Sequence, residues 1–79
     1  MTIDVSAIRR AFPALQTPTV FLDNPGGTQV PQRVLDRMLG YLTQCNANRD
    51  GAFATSRASD RLLEESRSAM AALVGAARP

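Results

Sequence analysis

The chain has 79 residues, enough for one small domain, and a domain of this size buries only about 60% of the surface its unfolded chain exposes. Nine basic side chains, all of them arginine, stand against seven acidic ones for a net charge of +2, and there is no lysine and no histidine. A Schiff-base lysine, a histidine general base and a histidine-held metal are therefore excluded from these residues. The arginines are scattered and mostly sit near carboxylates, unlike the one-sided, aromatic-interleaved clusters that bind nucleic acid, so no nucleic-acid partner is expected. Cys45 is the single cysteine; it has no internal disulfide partner, which fits a reducing compartment. No apolar run approaches the roughly 20 residues of a membrane span, and no signal-peptide stretch opens the chain. The expectation is a cytoplasmic protein that does not engage a membrane.

Asp4 or Ser6 can cap a short first helix through Phe12, which Pro13 ends. After a polar connector, Val20-Phe21-Leu22 reads as a short strand stopped by Asp23. Asn24-Pro25-Gly26-Gly27-Thr28 is a dense turn. Pro31 suits the first position of a second helix running to about Gln44, with Val34, Leu35, Met38, Leu39 and Leu42 on one face. An irregular stretch from Asn46 to Ala52 leads to a third helix, predicted to start just after Ser56 and to end before Gly75. Asp60 falls near its positive end. A lone strand has no neighbour in so short a chain, which points to a piece of something larger.

Two segments carry candidate chemistry. Adjacent glycines in the Asn24–Thr28 turn let backbone approach a ligand, and a helix start attracts anions; an ordinary strand-to-helix turn uses the same residues. No Gly-Lys-Ser/Thr follows, so a phosphate loop is excluded. The second segment holds Asn46, Asn48 and Arg49, with Thr55 and Ser56 at the helix start. Arg49 could clamp a carboxylate or phosphate, whereas the simpler reading is a solvated loop with a serine cap and Phe53 plugging it onto the core. Cys45, at a helix end, reads as a half-buried small residue.

Taken together, Ile8-Arg9-Arg10-Ala11-Phe12-Pro13-Ala14-Leu15, the run from Val20 to Pro31, Asn46-Ala47-Asn48 and Thr55-Ser56 resemble the N-terminus of the class V aminotransferases, the cysteine-desulfurase-like pyridoxal-phosphate enzymes. In that family the middle run usually reads Leu-Asp-Asn-Ala-Ala-Thr before a proline-initiated helix. The resemblance implies an α/β fold of type I, with a large domain around a mostly parallel sheet, a smaller domain and a homodimer. Residues 1–79 would be the N-terminal segment of such a chain. They are expected to be mostly helical, with a short helix, one short strand and two longer helices leading into the large domain.

The remainder of the enzyme chain would then supply the strand's neighbour, and Arg78-Pro79 reads as the lead-in to a further strand. The implied cofactor is pyridoxal phosphate, the implied substrate a small amino acid. The Schiff-base lysine and the phosphate-binding turn of the family lie downstream, so no catalytic or cofactor-binding residue is assigned here. Asn24, Gly26, Gly27, Thr28, Asn48, Arg49 and Phe53 match segments bordering the substrate pocket. Where the best-known desulfurases read His-Arg-Gly-x-His, this chain has Arg49-Asp50-Gly51-Ala52-Phe53, so neither imidazole is present to move protons. A different reading of the residues is a small helical module that adds its strand to a partner's sheet, or a truncated remnant.

Overall fold

A computed structural model describes all 79 residues, Met1–Pro79. In chain order it contains α1 (Val5–Arg10), a 3-10 turn at Pro13–Gln16, a second at Asn24–Gly26, α2 (Gln32–Gln44) and α3 (Ala54–Val74). The chain divides into two compact units, Met1–Leu39 and Gly40–Pro79, with the boundary inside α2.

In the first unit, Asp4 has the extended backbone of an N-cap and its Oδ1 accepts from the Ala7 amide at 3.0 Å. Of the two predicted caps it is therefore Asp4 that satisfies an orphan donor of the first turn. Pro13 stops α1 and opens the 3-10 turn, which side chains tie back. Gln16 Nε2 donates to the carbonyls of Arg9 (2.7 Å) and Phe12 (2.9 Å), and Arg9 Nη2 donates to that of Leu15 (3.0 Å). The amide of Gln32, at the start of α2, donates to the Ala11 carbonyl at 2.8 Å. α2 starts at Gln32, so Pro31 stands one residue before the helix and not at its expected first position; its carbonyl accepts from the amides of Val34 and Leu35.

The expected strand at Val20–Leu22 is not formed, and no strand occurs anywhere in the chain. The three residues take no regular secondary structure and are open to solvent, with Val20 74% and Leu22 90% exposed. β-Structure is a pairing of backbones, and no segment here offers an edge to receive this one.

In the second unit, α3 begins at Ala54, three residues earlier than expected, with Phe53 at the N-cap and no side-chain bond capping it. Gly75 ends the helix in the left-handed conformation (φ 70°), and the Ala76 amide returns to the Ala71 carbonyl at 2.9 Å, the closing bond of a glycine C-cap.

No apolar side chain in the chain is buried; the only buried residues are Ser56 and Ser59. The predicted apolar face of α2 does form, and it is uncovered: Val34, Leu35, Met38, Leu39 and Leu42 are 40–62% exposed. No helix is long and apolar enough to cross a membrane.

Candidate functional site

The candidate residues fall in two segments, one in each unit. In the first, Asp23 folds the turn: its carboxylate Oδ1 and its carbonyl both accept from the Gly26 amide, at 3.3 and 3.1 Å. Thr28 Oγ1 donates to the Asn24 carbonyl at 3.2 Å. Gly27 has φ 155°, a backbone that side-chain-bearing residues rarely adopt, with nothing within 4 Å of where a Cβ would stand. The turn thus needs glycine for its path and leaves open space beside it. Asn24 and Thr28 also help line a cleft of about 260 Å³, together with Arg9, Phe12, Leu15 and Val20 among others. Arg9 and Phe12 were not among the residues picked from the sequence; only their membership of the motif before Pro13 pointed to them.

In the second unit, the Asn48–Phe53 segment is tied to α3 by side chains from the helix itself. Ser56 Oγ donates to the Asn48 carbonyl at 2.5 Å and accepts from the Gly51 amide at 2.7 Å. Asp60 accepts from the Asp50 amide through both oxygens, at 3.1 and 3.3 Å. Arg57 Nη1 donates to the Ala52 carbonyl at 2.6 Å. Asp50 takes the left-handed conformation (φ 64°), which aspartate tolerates better than most residues. A Cβ on Gly51 would lie 2.5 Å from the Phe53 ring and 2.8 Å from Ser56 Oγ, so the loop can approach the helix only because that residue is glycine.

Ser56 is therefore not the helix's N-cap but a buried hub inside its first turn. Asp60 does sit near the positive end of α3, and what it satisfies is a loop amide. The guanidinium of Arg49 faces two carboxylates, with Nε 3.6 Å from Asp60 and Nη2 3.7 Å from Glu64. Phe53 does not plug the loop onto a core; its ring is 55% exposed, and Asn48 is also exposed. Sequence reasoning missed Ser56 and Asp60 as the groups that shape this loop. Their signal was a serine and an aspartate four residues apart on one helix face, following an Asp-Gly pair.

The class V aminotransferase family model matches residues 20–79, three quarters of the chain. The chain belongs to this family. It is 37% identical over 82 aligned residues to a probable cysteine desulfurase of Vibrio cholerae serotype O1, an alignment covering 96% of this chain and 20% of that protein. A probable cysteine desulfurase of Mycolicibacterium paratuberculosis is 38% identical, covering 92% of this chain and 12% of its own length. Probable cysteine desulfurase 1 of Mycobacterium leprae is 35% identical over 95% and 13%. The chain thus spans a fifth or less of the curated relatives it matches. No solved structure matches it significantly.

Proposed function

We propose that these residues are the N-terminal segment of a pyridoxal-phosphate-dependent enzyme that processes a small amino acid, cysteine-desulfurase-like or a class V transaminase. The observation that carries this reading is the family match together with relatives named as cysteine desulfurases at 35–38% identity along nearly the whole chain. In the complete enzyme the chain adopts an α/β fold, pairs as a homodimer and works in the cytoplasm, and the Val20–Leu22 segment gains a strand neighbour from the rest of the protein.

Pyridoxal phosphate, when bound, supplies an electron sink for a carbanion. Its covalent anchor is a lysine side-chain amine, and these 79 residues include no lysine. These residues do not fit the anchoring role, and no step through the cofactor is derived from them. They fit the border of a substrate pocket: the open space at Gly27, the exposed Asn48 carboxamide and the Phe53 ring are groups that shape an entrance and contact a small ligand. Gly26, Asn24 and Thr28 hold the turn that keeps that space open.

The test is to read the coding frame past codon 79, purify the full-length product and record its visible absorbance. A yellow protein whose colour is discharged by borohydride supports the reading, as does release of sulfide or an amino-group transfer from a small amino acid. A full-length product without a lysine-bound cofactor overturns it.

A further inference from the structure

Asp-Gly occurs once in the chain, at Asp50-Gly51, and the two peptide groups flanking Asp50 are both held by side chains of α3. The Asp50 amide donates to the two oxygens of Asp60, at 3.1 and 3.3 Å. The Gly51 amide donates to Ser56 Oγ at 2.7 Å. Between these two holds Asp50 is kept left-handed, at φ 64°, the only non-glycine residue of the chain with positive φ. Asp50 itself is exposed. Its β-carboxyl stands one five-membered ring away from the nitrogen of Gly51. When that nitrogen attacks Cγ, an N–Cγ bond forms, the Cγ–OH bond breaks, and the hydroxyl leaves with the amide proton as water, giving a succinimide. Water then opens the ring. Attack at Cγ restores aspartate, and attack at the main-chain carbonyl leaves isoaspartate, with the backbone routed through the β-carbon. No oxidant, metal or cofactor takes part. Most following residues shield the attacking nitrogen with a Cβ, and glycine has none. What opposes the reaction here is the hold from the helix: the Gly51 nitrogen cannot release its proton and swing onto Cγ until its bond to Ser56 opens.

We propose that Asp50-Gly51 is a self-modification site gated by α3: Ser56 and Asp60 keep it as aspartate, and each opening of the loop exposes it to conversion into isoaspartate. The converted loop cannot close as before. Isoaspartate adds a methylene to the backbone beside Gly51, where a single added Cβ would already lie 2.8 Å from Ser56 Oγ. This chemistry uses the loop and the first turns of α3 alone, so it stands apart from the enzyme reading.

The experiment incubates the full-length protein at physiological temperature and near-neutral pH, as wild type, Ser56→Ala, Ser59→Ala and Asp50→Glu. A synthetic peptide spanning residues 48–53 is the reference with no helix to hold it. Isoaspartate at position 50 is read from digests by its shifted chromatographic peak of unchanged mass and by its resistance to a protease that cleaves before aspartate. Exchange of the Gly51 amide is followed on the same samples. The peptide is expected to convert fastest and the wild type slowest. Ser56→Ala converts about tenfold faster than the wild type, the effect of losing one hydrogen bond to the loop, and its Gly51 amide exchanges faster in proportion. Ser59→Ala, which removes a hydroxyl with no partner, stays with the wild type, and Asp50→Glu, whose ring would have six members, does not convert. Should Ser56→Ala fail to fold, the wild type in rising urea below its unfolding transition supplies the same comparison: conversion and Gly51 exchange accelerate together. A wild type that converts as fast as the peptide overturns the inference, as does conversion that does not follow Gly51 exchange. A peptide that forms no isoaspartate overturns it also.

Discussion

Ser56 and Ser59 lie three residues apart on α3 and are equally enclosed, but their hydroxyls are in opposite situations. Ser56 Oγ makes two hydrogen bonds to the loop, whereas Ser59 Oγ is buried with no partner. Mutating either to alanine brings the same gain in intrinsic helix propensity, so the difference between the two variants isolates the hydroxyl. Ser56→Ala strands the Gly51 amide; Ser59→Ala removes an unsatisfied group. The second variant is expected to be more stable than the first by about 2 kcal/mol, checked by urea unfolding of the full-length protein. Gly51→Ala is expected to displace the loop, because its Cβ would lie 2.5 Å from the Phe53 ring and 2.8 Å from Ser56 Oγ. The cost is about 1–3 kcal/mol, in the range of overpacking. Protection of the Asp50 and Gly51 amides against hydrogen exchange reports it, and unchanged protection would count against the hold of Ser56 and Asp60 on the loop.

The helices were the most legible elements. Pro31 and Gly75 mark where α2 starts and α3 stops because each restricts or frees the backbone in a way that only a helix end uses. The apolar spacing of Val34 through Leu42 gave the α2 face correctly. Two things were not legible, for one reason. Val20-Phe21-Leu22 has the composition of a strand, but composition cannot provide the second backbone that makes one. Likewise Ser56 has the composition of a cap, and which amide it meets depends on a loop folded back by an aspartate four residues further on. In both cases the outcome is decided by how another stretch of backbone is placed, which the residue's own type does not specify. The early start of α3 at an uncapped Phe53 carries its own consequence. Phe53→Ser places a hydroxyl where the first-turn amides lack an acceptor, and is expected to stabilise the helix by about 1 kcal/mol. Higher helicity by circular dichroism, accompanied by weaker substrate binding in the full-length protein, would show that the aromatic ring is kept for contact and not for the helix.

Across the whole chain, no apolar side chain is buried, while an apolar α2 face and the Val20–Leu22 segment are open to water. Hydrophobic burial is the dominant favourable term in folding, and without it the entropy of ordering each residue is opposed mainly by local hydrogen bonds. The 79-residue chain is accordingly expected to unfold over a broad range of temperature, with α1 lost first and no coincidence between helix loss and loop opening. Circular dichroism and amide exchange on the same sample decide this; a sharp transition seen identically by both would overturn it. The resemblance to class V aminotransferases, read from motif order, is supported by the family match, and the chain spans a fifth or less of the curated relatives it matches.

The same bare interior governs how the chain responds to cold. The heat capacity gained on unfolding comes chiefly from apolar surface newly wetted, and here that surface is largely wet already. Its stability curve should be nearly straight instead of domed, with helix content rising steadily as the solution is cooled. A cored protein loses part of its driving force in the cold; this chain, with its loop held by hydrogen bonds at Ser56 and Asp60, has almost none of that kind to lose.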